Sequence, residues 1–198
     1  MSALERSALK EWAVLCDAMA RGDIIALVRK GGIREQRAGF SVRHDRFLLY
    51  PTFFHEKAAE LAPRFTGALA SSHSGRPPAG VVRLALVATV AAVWAVDDLD
   101  RMRAIESEHG LAWDAVCSRF HYRQRPGLQV IAVDVARVRE AAEVPEIPRY
   151  AGCVSWVTLE AGADVEHARR VVPSPDFDAR LQRLHDALGA PLEGSPPS

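Results

Sequence analysis

Between residues 29 and 56 the chain gathers side chains of the kinds that hold anions and move protons: Arg29, Lys30, Glu35, Arg43, His44, His55 and Glu56. An imidazole titrates near neutrality, and a carboxylate beside it supplies the matching acid or base. His44, His55, Glu35 and Glu56 are therefore the candidate catalytic groups of a hydrolase or nuclease acting on a nucleotide-like substrate. Their spacing matches neither HExxH nor another ligand pattern, so no metal site is expected, and one hairpin His and one helix-capping His is the commoner arrangement. Lys30-Gly31-Gly32 follows a strand-like segment, yet it lacks GxxxxGK[ST] and GxGxxG. A turn built on a glycine pair fits it better than a nucleotide loop, and no cofactor is expected. Cys153 opens the segment CVSW and would need His44 or His55 beside it to act as a nucleophile. A lone strand cysteine is more often a small buried hydrophobe.

A second chemistry is carried by arginine. The chain has 25 basic residues, of which only Lys10, Lys30 and Lys57 are lysines. A GC-rich genome accounts for such a bias by itself, but the local distribution is uneven. Residues 21–46 hold seven basic side chains against three acidic ones. A second run, Arg119, Arg123 and Arg125, is interleaved with Phe120, His121 and Tyr122. A guanidinium group forks onto phosphate and stacks on bases, so arginines beside aromatics suit single-stranded nucleic acid. On this reading Arg29, Lys30, Arg43, Arg119 and Arg123 contact phosphates, and Phe120, Tyr122 or Tyr50 stacks on a base.

These residues must be positioned by a mixed set of elements. Ser7 caps a predicted helix running to Arg21, with Trp12, Leu15, Cys16 and Met19 as its buried stripe and Gly22 just beyond its end. Residues 24–30 read as a strand, 40–43 and 46–50 as a hairpin, and 55–61 as a helix ended by Pro63. Residues 70–80, rich in Ser, Gly and Pro, read as a mobile loop. A long strand over 81–94, helices over 97–109 and 113–120, and strands over 128–138 and 154–159 follow. A final helix from Ser174 or Asp176 carries Phe177, Leu181, Leu184 and Leu188 on one face. Residues 190–198 read as a disordered tail after a single globular domain over 1–189. Strands and helices alternate without a βαβ rhythm. An α+β domain with a curved, mostly antiparallel sheet or small β-barrel and flanking helices is expected.

Composition narrows the function classes. The 198 residues are 48% hydrophobic with 25 basic against 25 acidic side chains, which describes a folded, neutral chain. Residues 81–96 fall short of the roughly 20 apolar residues of a membrane span, and the first residues do not form a signal peptide. Three scattered cysteines build neither a disulfide framework nor a zinc ribbon. A cytoplasmic protein without membrane contact is expected, its oligomeric state open.

The segments LKEWAVLCDAMARG, LVRKGGIRE, FSVRHDRFLLYPTFFHE, AWDAVCSRFHYR and IPRYAGCVSW resemble the bacterial domain-of-unknown-function family 1802 over residues 8–160. That resemblance brings no established activity. It implies a Gln after the histidine where this chain has Glu56, which weakens a catalytic Glu56. The order of elements is also similar, at fold level, to PUA-like and ASCH-like domains, whose small barrel offers a cleft for RNA or a modified base. There Arg29, Lys30 and Glu35 look like the basic and acidic cleft residues. The leading expectation is a nucleic-acid-binding module for RNA, single-stranded DNA or an exposed base. The hydrolase above and a protein-interaction domain with solvated arginines are its rivals.

Overall fold

The computed structural model describes residues 4–30, 42–152 and 154–192, and all of Arg123 except its side chain. Glu35 and Cys153 lie outside the described residues. The elements run β1 (Leu4–Trp12), α1 (Ala13–Arg21), β2 (Ala26–Arg29), β3 (Arg46–Thr52), α2 (Pro63–Thr66), α3 (Ala68–Ser74), β4 (Val81–Val96), α4 (Leu99–Ala104), α5 (Trp113–Phe120), β5 (Leu128–Pro145), β6 (Trp156–Asp164), β7 (Arg169–Arg170) and α6 (Ser174–Leu188). The strands form one seven-stranded sheet of order β2-β5-β4-β3-β1-β6, with β7 added alongside β5. Every pairing is antiparallel except β1 with β3, which run parallel from Ala8↔Leu48 to Trp12↔Thr52. The fold is α+β, with an open, mostly antiparallel sheet and helices. No helix among the described residues is long and apolar enough to cross a membrane.

Alternation along the central strands divides the core in two. Leu9, Phe47 and Leu49 belong to a large cluster shared with α1, α5, α6 and β5. Ala8, Leu48 and Tyr50 belong to a smaller one with Leu84, Tyr150 and Leu159. Successive strand side chains point to opposite faces, so both faces of β1 and β3 are covered.

This double burial explains the largest departure from the sequence expectation. Residues 7–12 are strand rather than helix, and α1 starts only at Ala13. Ala8 and Leu9 are both fully buried, and β3 and β6 fill the two edges of β1. Sheet pairing on both sides outweighs local helix propensity. The first turn of α1 is satisfied from a distance, the Val14 N–H donating to Glu56 Oε1 at 3.0 Å. The expected hairpin also fails on topology. β3 already has β1 and β4 as neighbours, which leaves no edge for another arm, and residues 42–44 are not strand, while 40 and 41 lie outside the described residues. Pro63 starts a helix instead of ending one, as suits a residue with fixed φ at a first helical position, and only a 3-10 turn, Ala58–Glu60, precedes it. The first half of the expected loop is α3, which packs on α1. Where β1 and β6 slip register between Glu5 and Ser7, Gly162 is required: a Cβ there would lie 1.9 Å from the Glu5 carbonyl oxygen.

Candidate nucleic-acid interface

The parallel strands β1 and β3 end side by side at Trp12 and Thr52, and beyond their C-terminal ends the chain turns away in two directions. The space between is a cleft of about 570 Å³. β1 contributes Lys10, Glu11 and Trp12, β2 contributes Arg29, and α5 contributes Arg119. Beyond β3 come Phe53, Phe54 and His55, and the opposite wall holds Arg76, Arg83 and Glu146. Among the described residues, five cations thus face two carboxylates.

Several of these charges are engaged within the protein. Arg29 Nη2 pairs with Glu11 at 2.9 Å and donates to the Lys10 carbonyl at 2.6 Å. Lys10 Nζ donates to the carbonyls of Tyr150 and Gly152, closing one end of the cleft. Arg119 lies 5.2 Å over the Trp12 ring and reaches Glu60 at 3.4 Å while staying partly exposed. Arg76 lies 5.0 Å over the Phe53 ring. The guanidinium group of Arg83, exposed on β4, makes no ion pair or hydrogen bond among the described residues. The positive charge open to a ligand is therefore concentrated on Arg76, Arg83 and Arg119.

At the rim stands Phe54, 76% exposed, with its ring 5.7 Å from that of His55. His55 has φ of 64°, a left-handed conformation that few non-glycine residues adopt, and it bends the chain just after Phe54. A large aromatic side chain in water beside a basic cleft can stack on a planar ring.

Of the residues singled out by sequence, Arg29, Arg119 and His55 meet at this cleft, although Arg29 and Arg119 are ninety positions apart. The rest lie elsewhere. Lys30 Nζ donates to the carbonyls of Phe120 and Gly127, each at 2.7 Å, and to that of Arg125, so it ties the end of α5 to the start of β5. Partial burial lowers its pKa. Phe120 is 4% exposed and Tyr50 1%, so neither ring has a face free for a base. Burial, followed by the nearby Glu146 carboxylate, raises the Tyr50 phenol pKa. Tyr122 is exposed but lies outside the cleft, as does exposed Arg43. The Arg123 side chain is outside the described residues.

Among the described residues the candidate acid–base groups His44, His55 and Glu56 share no hydrogen bond with one another. His44 faces the Ser7 hydroxyl at 3.4 Å and the Trp156 ring. Glu56, its side chain fully buried, caps α1 and accepts from His73 Nε2 at 2.6 Å. It acts as a clasp between α1, α3 and the loop after β3. Among the described residues no three His, Cys, Asp or Glu side chains gather as metal ligands.

Phe54, Arg76, Arg83 and Glu146 were not singled out by sequence. Signals pointed at two of them, Phe54 and Arg83: a Phe-Phe pair directly after Pro51-Thr52, and the lone charge within an apolar strand of sixteen residues.

The chain belongs to the DUF1802 family, a domain of unknown function, whose profile matches residues 8–183. Among solved structures it is similar to a mutant of the ZmASCH protein from Zymomonas mobilis, at 12% identity and TM-score 0.46, covering 81% of this chain and 92% of that one. It is also similar to ASCH from Zymomonas mobilis, at 12% identity and TM-score 0.44, covering 91% and 93%. No curated protein matches the chain.

Proposed function

We propose that the protein is a nucleic-acid-binding module that takes one nucleotide of a single strand into the cleft beyond β1 and β3. The observation that carries this reading is exposed Phe54 at the mouth of a cleft where Arg76, Arg83 and Arg119 converge. A base stacks on Phe54, and the guanidinium groups take the flanking phosphates, a combination that recognises single strands with little dependence on sequence. The cleft volume falls within the range of about 300–1,000 Å³ usual for small-ligand sites. Arg29 serves by fixing Glu11 and the end of β1 rather than by touching phosphate.

Titration of the purified protein with single-stranded RNA, single-stranded DNA and duplex tests this, using wild type beside the double variant Arg83→Ala, Arg119→Ala. Expected is a preference for single strands that the variant loses. Equal affinity for duplex, or affinity unaffected by the two substitutions, refutes it.

A further inference from the structure

A second cavity, of about 410 Å³, adjoins the cleft. The two share Pro51, Phe53, Pro77 and Arg83 as a common wall. The far side of the second chamber is formed by α1 and α3, and Arg137 of β5 contributes to its lining. Apart from the shared Arg83, its polar groups are distinct from those of the first. Ser72, buried in α3, has a hydroxyl with no hydrogen-bond partner among the described residues, and the Asp17 carboxylate has no ion pair there. Arg137 is partly engaged, donating to the Ala20 carbonyl at 2.7 Å.

We propose that the two chambers hold two successive nucleotides of one strand, with Arg83 on the phosphodiester between them. The inference rests on the nucleic-acid reading above and adds a footprint to it. A phosphodiester carries a single negative charge, and a single unpaired guanidinium stands in the wall common to both chambers. The first chamber offers Phe54 for stacking. The second offers the exposed Asp17 carboxylate, an acceptor suited to the polar edge of a base or to a ribose hydroxyl, with Arg137 beside it in the lining.

The test is calorimetric titration with 5′-phosphorylated oligoadenylates of one, two and three nucleotides. It uses wild type, Ala20→Trp, which fills the second chamber, and Arg83→Met, which alters only an exposed side chain. Expected for wild type is a gain of about tenfold or more in affinity from one to two nucleotides, as for two linked contacts, and a much smaller change from two to three. Ala20→Trp should bind the mononucleotide as wild type does and lose the gain, and Arg83→Met should lose it as well. If Ala20→Trp fails to fold, Ala20→Leu, a smaller filling of the same chamber, decides in its place. Mononucleotide binding with no gain at the dinucleotide, or a gain that survives the substitutions, overturns the two-chamber footprint and leaves the single-strand reading standing. No binding at any length overturns both.

Discussion

Phe54 and Phe120 show how burial, more than neighbourhood in sequence, decides what an aromatic does. Phe120 is flanked by Arg119 and His121, yet its ring is in the core and the polar neighbours reach outward along their stems. Polar neighbours on either side of an aromatic therefore do not keep it out of the interior. Phe54 has no arginine beside it in sequence, and receives its cationic surroundings only through the fold. Removing its ring in Phe54→Ala is expected to weaken single-strand binding by about 1–3 kcal/mol, roughly 5- to 150-fold, while leaving the melting temperature unchanged because the ring is mostly solvated. Fluorescence anisotropy and thermal melts of the same preparation check both halves; unchanged affinity would remove Phe54 from the interface. A different residue governs the response to pH. His109 is buried, its Nδ1 accepting the Leu111 N–H at 3.2 Å, and burial followed by the charges of Arg64 and Arg119 lowers its pKa from 6.5 to about 4. The unfolded chain binds a proton here that the folded one refuses. The stabilisation is complete above about pH 6.5 and is lost as pH falls toward 4, by a total of about 3 kcal/mol. Urea unfolding at pH 7 and 4.5 should show a steeper loss for wild type than for His109→Gln, and equal losses would exclude His109 as the source.

At the scale of elements, those with a clear periodicity and a private partner surface were legible in the sequence. α5 spans the expected residues 113–120, and α6 buries the expected Phe177, Leu181, Leu184 and Leu188. β1 was not legible, because a strand buried on both faces has no alternation to read and its Ala-Leu-Lys-Glu composition favours helix. The cleft was hidden for the same reason: it exists only because β1 is a strand that lies parallel to β3 and ends level with it. Long-range polar anchors were equally invisible. Arg180 on α6 pairs with buried Glu108 at 2.6 Å and donates to the carbonyls of Gly22 and Asp23 at 2.6 and 3.1 Å, joining the last helix to the end of α1. Arg183 is the only other cation paired with Glu108 among the described residues, at 3.4 Å. Arg180→Ala leaves a buried carboxylate half-compensated and is expected to cost about 3 kcal/mol in chemical denaturation. Replacing both partners, in Arg180→Met with Glu108→Leu, should recover most of that loss, since two apolar side chains leave no charge to bury. A double variant as unstable as the single one would show that the anchor acts through the backbone carbonyls instead.

Over the whole molecule the charges cancel, with 25 basic and 25 acidic side chains, so no long-range field draws a polyanion to the surface. Binding must then depend on a few local contacts, and salt should reveal their number. Of the cleft cations among the described residues, Arg29 is neutralised by Glu11 and Lys10 is held by carbonyls, whereas Arg119 is more exposed and only loosely paired with Glu60 at 3.4 Å; Arg76, Arg83 and Arg119 are left to meet phosphates. Three contacts, each releasing about 0.7 of a counterion from a single strand, give a slope of about −2 in log K against log salt. Raising salt from about 50 to 200 mM should therefore weaken binding by roughly 20-fold. A basic protein holding a strand along an extended charged face would show a far steeper dependence, and a site that bound a neutral ring alone would show almost none. Arg83→Ala should shift the slope by close to one contact, whereas Arg43→Ala, on an exposed residue outside the cleft, should leave it unchanged. If the Arg43 substitution flattened the slope as much as that of Arg83, the strand would be bound outside the cleft, on the basic stretch that the sequence first brought to notice.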